Sequence, residues 1–183
     1  MTTMAARFPR FLSGEVRTDR SRAVRDAATG DRAALGELYE RYARMVHGIL
    51  LSRVPFADAE DLTHEVFLSA FGKLASLRTP EAFPGWLASI ARNRAVEFHR
   101  SSRALDTAGR EPAARDEHDG AFVMEAIRSL PEAYRETLVL RLVEGMSGPE
   151  IAAQTGLTPA SVRVNLSRGM KMLRERLGGK EPK

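Results

Sequence analysis

The sequence predicts an all-α fold made of two small helical domains joined by a flexible linker. Apolar residues recur at three- and four-residue spacing along most of the chain, which is the pattern of amphipathic helices. No segment shows the sustained alternation of polar and apolar residues that is typical of a β-strand. Aromatic residues make up only 7% of the 183 residues, which disfavours a large β-sandwich.

Changes in periodicity divide the chain into four segments. Residues 1–28 alternate arginine, serine, threonine and aspartate with little periodicity, so we predict a mobile N-terminal arm. Residues 29–103 are periodic and form the first predicted domain. Residues 104–119 gain glycine, proline, alanine and acidic residues, a composition typical of a linker. Residues 120–178 are periodic again and form the second predicted domain.

The first domain is predicted to contain three helices. Asp31 is a suitable N-cap for the first of them, which Pro55 ends. Asp58 is predicted to open the second helix. A loop over 76–84 contains two prolines, and the third helix is predicted over 85–103.

The end of the second domain is predicted to be a helix-turn-helix. Ser147 and Glu150 have the spacing of a capping box, Gly156 suits a left-handed turn, and Thr158 followed by Pro159 suits the start of a helix. The last helix has an apolar face formed by Val162, Leu166, Met170 and Leu173. Its opposite face is small, polar and basic, as expected of a helix that enters the DNA major groove. A plain surface helix in a small bundle is the alternative, which any one of these residues alone would favour.

The charge distribution is compatible with two modules that contact a polyanion. The net charge of +4 is small, so it does not by itself indicate nucleic-acid binding. Residues 1–100 hold 15 basic and 12 acidic residues, residues 101–120 hold 3 and 5, and residues 121–183 hold 10 and 7. Two mildly basic blocks therefore flank an acidic bridge.

Composition also excludes several classes of site. The chain has no cysteine, so it cannot form disulfides or thiolate zinc sites. We expect neither a metal nor another cofactor. The N-terminus lacks the apolar core of a secretory signal. No uncharged run, Ala82 to Ala91 included, approaches the roughly 20 residues of a membrane helix, so we expect a cytoplasmic protein without membrane insertion.

Three separated motifs resemble those of bacterial RNA polymerase sigma factors. The first domain contains DAEDLTHEVFLSAF at Asp58–Phe71, followed by FPGWLASIARNR at Phe83–Arg94. The second contains LPEAYRE at Leu130–Glu136, then LVEGMS at Leu142–Ser147 and the helix-turn-helix. In this order the motifs resemble the extracytoplasmic-function (ECF) group of the sigma-70 family. The resemblance implies a protein that binds core RNA polymerase and directs promoter recognition and opening for transcription initiation.

By this resemblance the first domain is of the region-2 type and docks on the clamp helices of the largest polymerase subunit. The acidic start of its second helix favours the positive end of the helix dipole and suits a basic partner helix. Capping and solvation are the alternative explanation for these acids, above all for Asp58. The candidates for polymerase binding are Asp58, Asp61, His64 and Glu65.

The resemblance assigns the minus-ten promoter element to the third helix and the loop before it. If Leu87, Ala91 and Phe98 face the core, helical geometry turns outward Ser89, Arg92, Asn93, Val96 and Arg100. Arginines on this face would hold phosphates, and Asn93 would contact an exposed base. A solvated polar face is the alternative on charge pattern alone. The loop over 76–83 resembles the family segment that captures a flipped base.

The resemblance makes the second domain a region-4 type that reads the minus-thirty-five element. The amides near Ser147 lie at a predicted helix N-terminus and are candidate phosphate ligands. Asn165 stands where the family often has arginine, so it either pairs with adenine or flanks the packing. The candidates for DNA contact are Ser147, Thr158, Ala160, Ser161, Val164, Asn165, Ser167, Arg168 and Lys171.

Two other functions compete with this interpretation. A stand-alone helix-turn-helix regulator would explain the second domain but not the motifs of the first. An enzyme is disfavoured because His64-Glu65 lacks the second histidine of a metalloprotease motif, and Leu68 stands there instead. Family members are often held inactive by an anti-sigma factor, so a partner of this kind is also expected.

Overall fold

The computed structural model describes residues 12–106 and 119–178, and every regular element in these two ranges is helical. The first range contains α1 (Leu12–Ala28), α2 (Arg32–Leu51), α3 (Phe56–Lys73) and α4 (Phe83–Asp106), with short 3-10 turns at Leu74–Ser76 and Pro80–Ala82. The second range contains α5 (Asp119–Arg128), α6 (Glu132–Leu142), α7 (Gly148–Thr155) and α8 (Pro159–Gly178). The predicted all-α fold of two helical domains is confirmed. Most of the predicted linker, residues 107–118, lies outside the described residues.

Helix α1 differs from the prediction of a mobile arm over 1–28. Residues 12–28 are helical, and Ala23, Val24 and Ala27 are buried against the rest of the first domain. This apolar stripe is narrow and lies among arginines, so it gives almost no periodic signal. The mobile-arm prediction is therefore wrong for residues 12–28, while residues 1–11 lie outside the described part.

The helix starts confirm one predicted cap and correct another. Asp31 caps α2 as predicted, since its carboxylate accepts hydrogen bonds from the amides of Ala33 at 2.8 Å and Ala34 at 3.3 Å. Helix α3, however, begins two residues before Asp58, with Pro55 at the N-cap position and no side-chain cap. Asp58 lies inside the first turn, where its charge favours the helix dipole without capping an amide.

Helix α4 is longer than the predicted range of 85–103. The 3-10 turn at Pro80–Ala82 leads directly into Phe83, and Pro84 is tolerated because the first turn needs no amide donor. Phe83 is fully buried, and its ring meets the ring of Tyr42 on α2 edge-on at a centroid distance of 5.3 Å. The start of α4, and with it the end of the 76–83 loop, is therefore fixed by the core.

Each domain buries apolar faces around a central helix. In the first domain, α2 packs against α1, α3 and α4. In the second, α6 packs against α5, α7 and α8. Helix α8 approaches α6 closely at Gly169, where a Cβ atom would lie 3.1 Å from Leu138 Cδ1 and 3.2 Å from Tyr134 Cβ. No helix in the described ranges combines the length and apolarity required to cross a membrane.

Candidate nucleic-acid and partner interfaces

Helix α8 presents the predicted DNA-binding face to solvent. Gly156 supplies the left-handed turn before the helix with φ of 78°. Thr158 caps the helix, since its hydroxyl accepts a hydrogen bond from the Ser161 amide at 3.1 Å. Val162 and Leu173 are buried on the inner side. The exposed predicted residues are Thr158, Ala160, Ser161, Val164, Ser167, Arg168 and Lys171, and Asn165 is half-buried at the edge of this face.

The structure argues against the Ser147 amide as a phosphate ligand. The Ser147 amide donates to Glu150 Oε2 at 2.7 Å, and the Glu150 amide donates to Ser147 Oγ at 3.3 Å. The hydrogen bonds from Ser147 lower the pKa of the Glu150 carboxyl, which stays charged. The predicted capping box is confirmed, but it pairs these two amides and places a carboxylate at the start of α7. That negative charge would repel a DNA phosphate.

Sequence reasoning missed two basic residues on the predicted DNA-binding side of α8. Arg163 and Arg174 are both exposed. Arg163 lies four residues before Ser167 and eight before Lys171, and Arg174 lies one turn after Lys171, so all four project from one side of the helix. The three- and four-residue spacing would have identified them. They extend the basic surface along three turns.

Helix α3 presents an exposed face with acids around a large apolar side chain. Asp61, His64 and Glu65 are exposed, as predicted for a partner surface. Leu68 is 73% exposed on the same side, although sequence reasoning considered it only as evidence against a metalloprotease motif. An exposed leucine one turn after Glu65 and two turns after Asp61 could have been identified as an apolar anchor of a binding surface.

His64 and Glu65 already have partners within the domain. His64 Nδ1 lies 3.0 Å from the Glu60 carbonyl oxygen, which can only accept, so this nitrogen is the donor. In the neutral ring, Nε2 then accepts from the Tyr39 hydroxyl at 3.2 Å. Glu65 accepts a hydrogen bond from Arg94 Nε at 2.7 Å. Asp58 is half-buried, which leaves Asp61 as the one of the four predicted polymerase-binding residues that is exposed and makes no side-chain hydrogen bond or ion pair with the described part of the chain.

Helix α4 exposes four of its five predicted promoter-binding residues. Ser89, Asn93, Val96 and Arg100 face solvent. Arg92 is instead half-buried at the edge of this face, where the Glu136 side chain on α6 of the second domain reaches it. Its guanidinium donates to Glu136 through Nε at 3.1 Å and through an Nη atom at 2.7 Å. The prediction that Arg92 faces outward is therefore wrong for this structure.

The 76–83 loop is braced by α1. Ser76, Arg78, Thr79 and Glu81 are exposed on it. The Ser21 hydroxyl donates to Glu81 Oε1 at 2.7 Å and so ties α1 to the loop. At the end of the loop the Trp86 ring lies against Phe83 at a centroid distance of 6.0 Å and is half-buried. Trp86 is therefore part of the packing, as sequence reasoning favoured.

Both domains match families of known proteins. Residues 38–104 match the family described as Sigma-70 region 2, and residues 123–173 match the family described as Sigma-70, region 4. A stand-alone helix-turn-helix regulator would leave the first match unexplained, and this alternative is not favoured.

Relatives match along most of the chain. The RNA polymerase sigma factor CarQ of Myxococcus xanthus is 35% identical over 160 residues, which cover 81% of this chain and 92% of CarQ. The ECF RNA polymerase sigma-E factor of Escherichia coli K12 is 30% identical over 171 residues, covering 79% and 86% of the two chains.

Solved structures share the fold. CnrH, solved in complex with the cytosolic domain of CnrY, superposes with a TM-score of 0.62 at 24% identity and covers 88% of this chain and 99% of its own. The sigma factor RpoE of Bartonella quintana, solved with the anti-sigma factor NepR, has a TM-score of 0.51 at 24% identity and covers 77% and 93%.

The order of the two matched regions agrees with the order of the motifs and with the positions of the exposed faces. On this combined evidence the chain belongs to the ECF group of the sigma-70 family, whose members bind RNA polymerase and direct promoter-specific transcription.

Proposed function

We propose that three surfaces of this sigma factor divide the work of initiation. The exposed face of α8 reads the minus-thirty-five element. The outer face of α4, with the 76–83 loop, reads and opens the minus-ten element. The acidic face of α3, around Asp61 and Leu68, docks on the clamp helices of the polymerase. The observation that carries this assignment is the α8 face, which is basic, exposed and positioned by a glycine turn within the region-4 match.

The same assignment implies what the chain does not do alone. We propose that polymerase supplies all of the chemistry and that this subunit is not an enzyme. We also propose that it acts in the cytoplasm, where bacterial transcription takes place, and that an anti-sigma factor regulates it. Regulation by an anti-sigma factor is supported by the partners bound to the solved relatives CnrH and RpoE.

Reconstitution with core polymerase tests the function as a whole. Core enzyme loaded with this chain should start transcription at a defined set of sites on genomic DNA, whereas core enzyme alone should not. Sequencing the transcript ends would give both promoter elements. Failure to bind core polymerase or to direct any specific start would contradict the proposal.

Arg168→Ala should weaken recognition of the minus-thirty-five element. The exposed guanidinium is placed to contact a base edge, and each such contact is worth about 1–3 kcal/mol. Transcription from promoters with matched and mismatched upstream elements measures the loss of selectivity. Arg176→Ala is the matched control, because Arg176 binds Ser129 Oγ at 2.7 Å, away from this face, and its loss removes the same charge. Equal selectivity in the two variants would exclude a base-reading role for Arg168.

Asp61→Arg should weaken polymerase binding without unfolding the first domain. Asp61 is exposed, so reversing its charge leaves the core intact, while like charges facing each other across an interface cost several kcal/mol. Competition with wild-type protein for core polymerase measures the effect. Glu125→Arg makes the same charge change on exposed α5 and should compete normally. Normal competition by Asp61→Arg would remove Asp61 from the interface.

A further inference from the structure

The two domains are joined by a buried carboxylate of the second domain that lies between two arginines of the first. The Glu136 side chain on α6 is 7% exposed. It accepts two hydrogen bonds from Arg92 on α4, and its Oε2 lies 2.8 Å from an Nη atom of Arg53, just after α2. Burial by itself would raise the pKa of the Glu136 carboxyl, but the hydrogen bonds and positive charges of Arg92 and Arg53 outweigh it and lower the pKa. Glu136 is therefore charged and paired across the domain boundary.

A second acid, just beyond the end of the same helix, makes a parallel contact. Glu144, just after α6, accepts a hydrogen bond from His47 Nδ1 at 2.7 Å, and Arg44 lies 4.0 Å away. Beside them, Gly48 of α2 leaves no room for a side chain, because a Cβ atom there would lie 2.7 Å from Leu140 Cδ2 and 2.9 Å from Glu144 Cγ. We call the contacts of Glu136 and Glu144 with the first domain, together with the fit of Leu140 on Gly48, the interdomain latch.

The latch covers promoter-binding surface of the first domain. In the latch, the Glu136 carboxylate pairs with Arg92, which is the predicted phosphate ligand of the minus-ten face. The latch also brings the helix-turn-helix onto the start of α4, where a Cβ atom on Gly156 would lie 3.4 Å from the Gly85 Cα atom. Arg92 additionally reaches the Thr155 carbonyl oxygen at 3.4 Å, so α7 closes over the same place.

This packing is incompatible with simultaneous reading of both promoter elements. The minus-ten and minus-thirty-five elements lie about 25 base pairs apart, and at a rise of 3.4 Å per base pair they are separated by about 85 Å along the duplex. Two domains whose backbones touch at Gly85 and Gly156 cannot reach sites so far apart. The domains must therefore separate before promoter binding.

We propose that α6 is an internal competitor of promoter DNA, with Glu136 taking the place of a phosphate on Arg92 and Arg53 and so holding the free sigma factor closed. This inference rests on the proposed assignment of α4 to the minus-ten element. Binding to polymerase pulls the domains apart, and Arg92 is then free to bind the melted strand. An open state that is rarely populated lowers the apparent DNA affinity of the free protein by the populated fraction.

Distance measurements on labelled full-length protein test the latch directly. The chain has no cysteine, so Gly72→Cys and Gly178→Cys can carry one spin label in each domain, and both positions have open space around the added side chain. The doubly labelled protein with no other substitution should give one narrow distribution of distances between the two labels. Glu136→Gln removes the negative charge that pairs with the two arginines, and the closed-to-open ratio should fall by at least about 100-fold, as when a buried ion pair loses one partner. The distribution should become longer and broader.

Gly48→Leu tests the same latch without changing any charge. The added side chain would collide with Leu140 in the closed form, yet an open form would leave it at the surface of α2. It should therefore give the same long distances as Glu136→Gln, and it decides the question alone if the Glu136 variant does not fold. Glu37→Gln is the control, because it removes the same charge from a partly exposed pair with Arg41 within α2. Unchanged distances in both latch variants, or a broad distribution in the parent protein, would overturn the proposal.

A binding assay connects the latch to function. The probe is a single-stranded oligonucleotide carrying the minus-ten sequence of a mapped promoter. Both latch variants should bind it at least tenfold more tightly than the parent in the absence of polymerase, since they populate the open state. Transcription by the assembled holoenzyme should be unchanged. If the latch variants open but do not bind the oligonucleotide more tightly, α4 is not part of the minus-ten interface, while the proposal that the latch closes the free protein still stands. The two proposals can therefore fail separately.

Discussion

Replacing Phe83 with alanine is expected to lower the free energy of unfolding of the first domain by about 3–5 kcal/mol, the usual cost of removing a buried aromatic ring. Phe83 is fully buried, and its neighbours Tyr42 and Trp86 are large rings that cannot collapse into the space. Because Phe83 is also the first residue of α4, its loss should release the end of the 76–83 loop. Promoter opening should therefore fail before polymerase binding does.

Chemical denaturation followed by tryptophan fluorescence measures this loss. Trp86 is the single tryptophan of the chain and lies in the first domain, so its signal reports on that domain. Phe56→Ala is the matched control, since Phe56 is 63% exposed and its removal should change stability by no more than about 0.5 kcal/mol. A loss of less than 1 kcal/mol in Phe83→Ala would mean that Phe83 does not anchor the loop.

Replacing Gly169 with isoleucine is expected to destabilise the second domain selectively. Even a single Cβ atom at this position would lie 3.1 Å from Leu138 and 3.2 Å from Tyr134, and isoleucine adds three further carbons. Overpacking of this kind typically costs about 1–3 kcal/mol, and here it would push α8 away from α6. Upstream promoter recognition should be lost, because α8 carries the proposed reading face.

Two spectroscopic signals separate this effect from general unfolding. Circular dichroism should show an early loss of helix in Gly169→Ile, while the Trp86 fluorescence transition stays close to that of the wild type. Gly36→Ile is the control, because Gly36 also lies within a helix but has open space around its Cβ position. This control should gain about 0.5 kcal/mol from helix propensity. Equal stability of the two variants would contradict the close packing of α8 on α6.

Local signals in the sequence predicted most of the architecture and the upstream site. Asp31, the capping box of Ser147 and Glu150, and the Gly156 turn all depend on residues within a few positions of one another, and each was confirmed. The exposed side of α8 followed from the same three- and four-residue spacing. Where local sequence failed, as at Asp58, a proline at position 55 had already fixed the start of the helix.

Contacts between distant parts of the chain could not be predicted in this way. Arg92 and Glu136 are 44 residues apart, and neither the periodicity of α4 nor that of α6 shows that they meet. Arg92 was therefore assigned to an open face, although a carboxylate from the other domain occupies it. Sequence resemblance predicted polymerase and DNA surfaces for two separate domains, while the structure shows how the two domains associate.

The brace between α1 and the 76–83 loop has a practical consequence for dissecting the protein. A fragment that starts at residue 29, where the periodic sequence begins, would remove Ala23, Val24 and Ala27 from the side of α2 and leave Glu81 without Ser21. Such a truncation would uncover apolar surface and loosen the 76–83 loop, even though it removes no residue that the sequence alone assigns to promoter binding. An isolated N-terminal module should therefore include α1 in full.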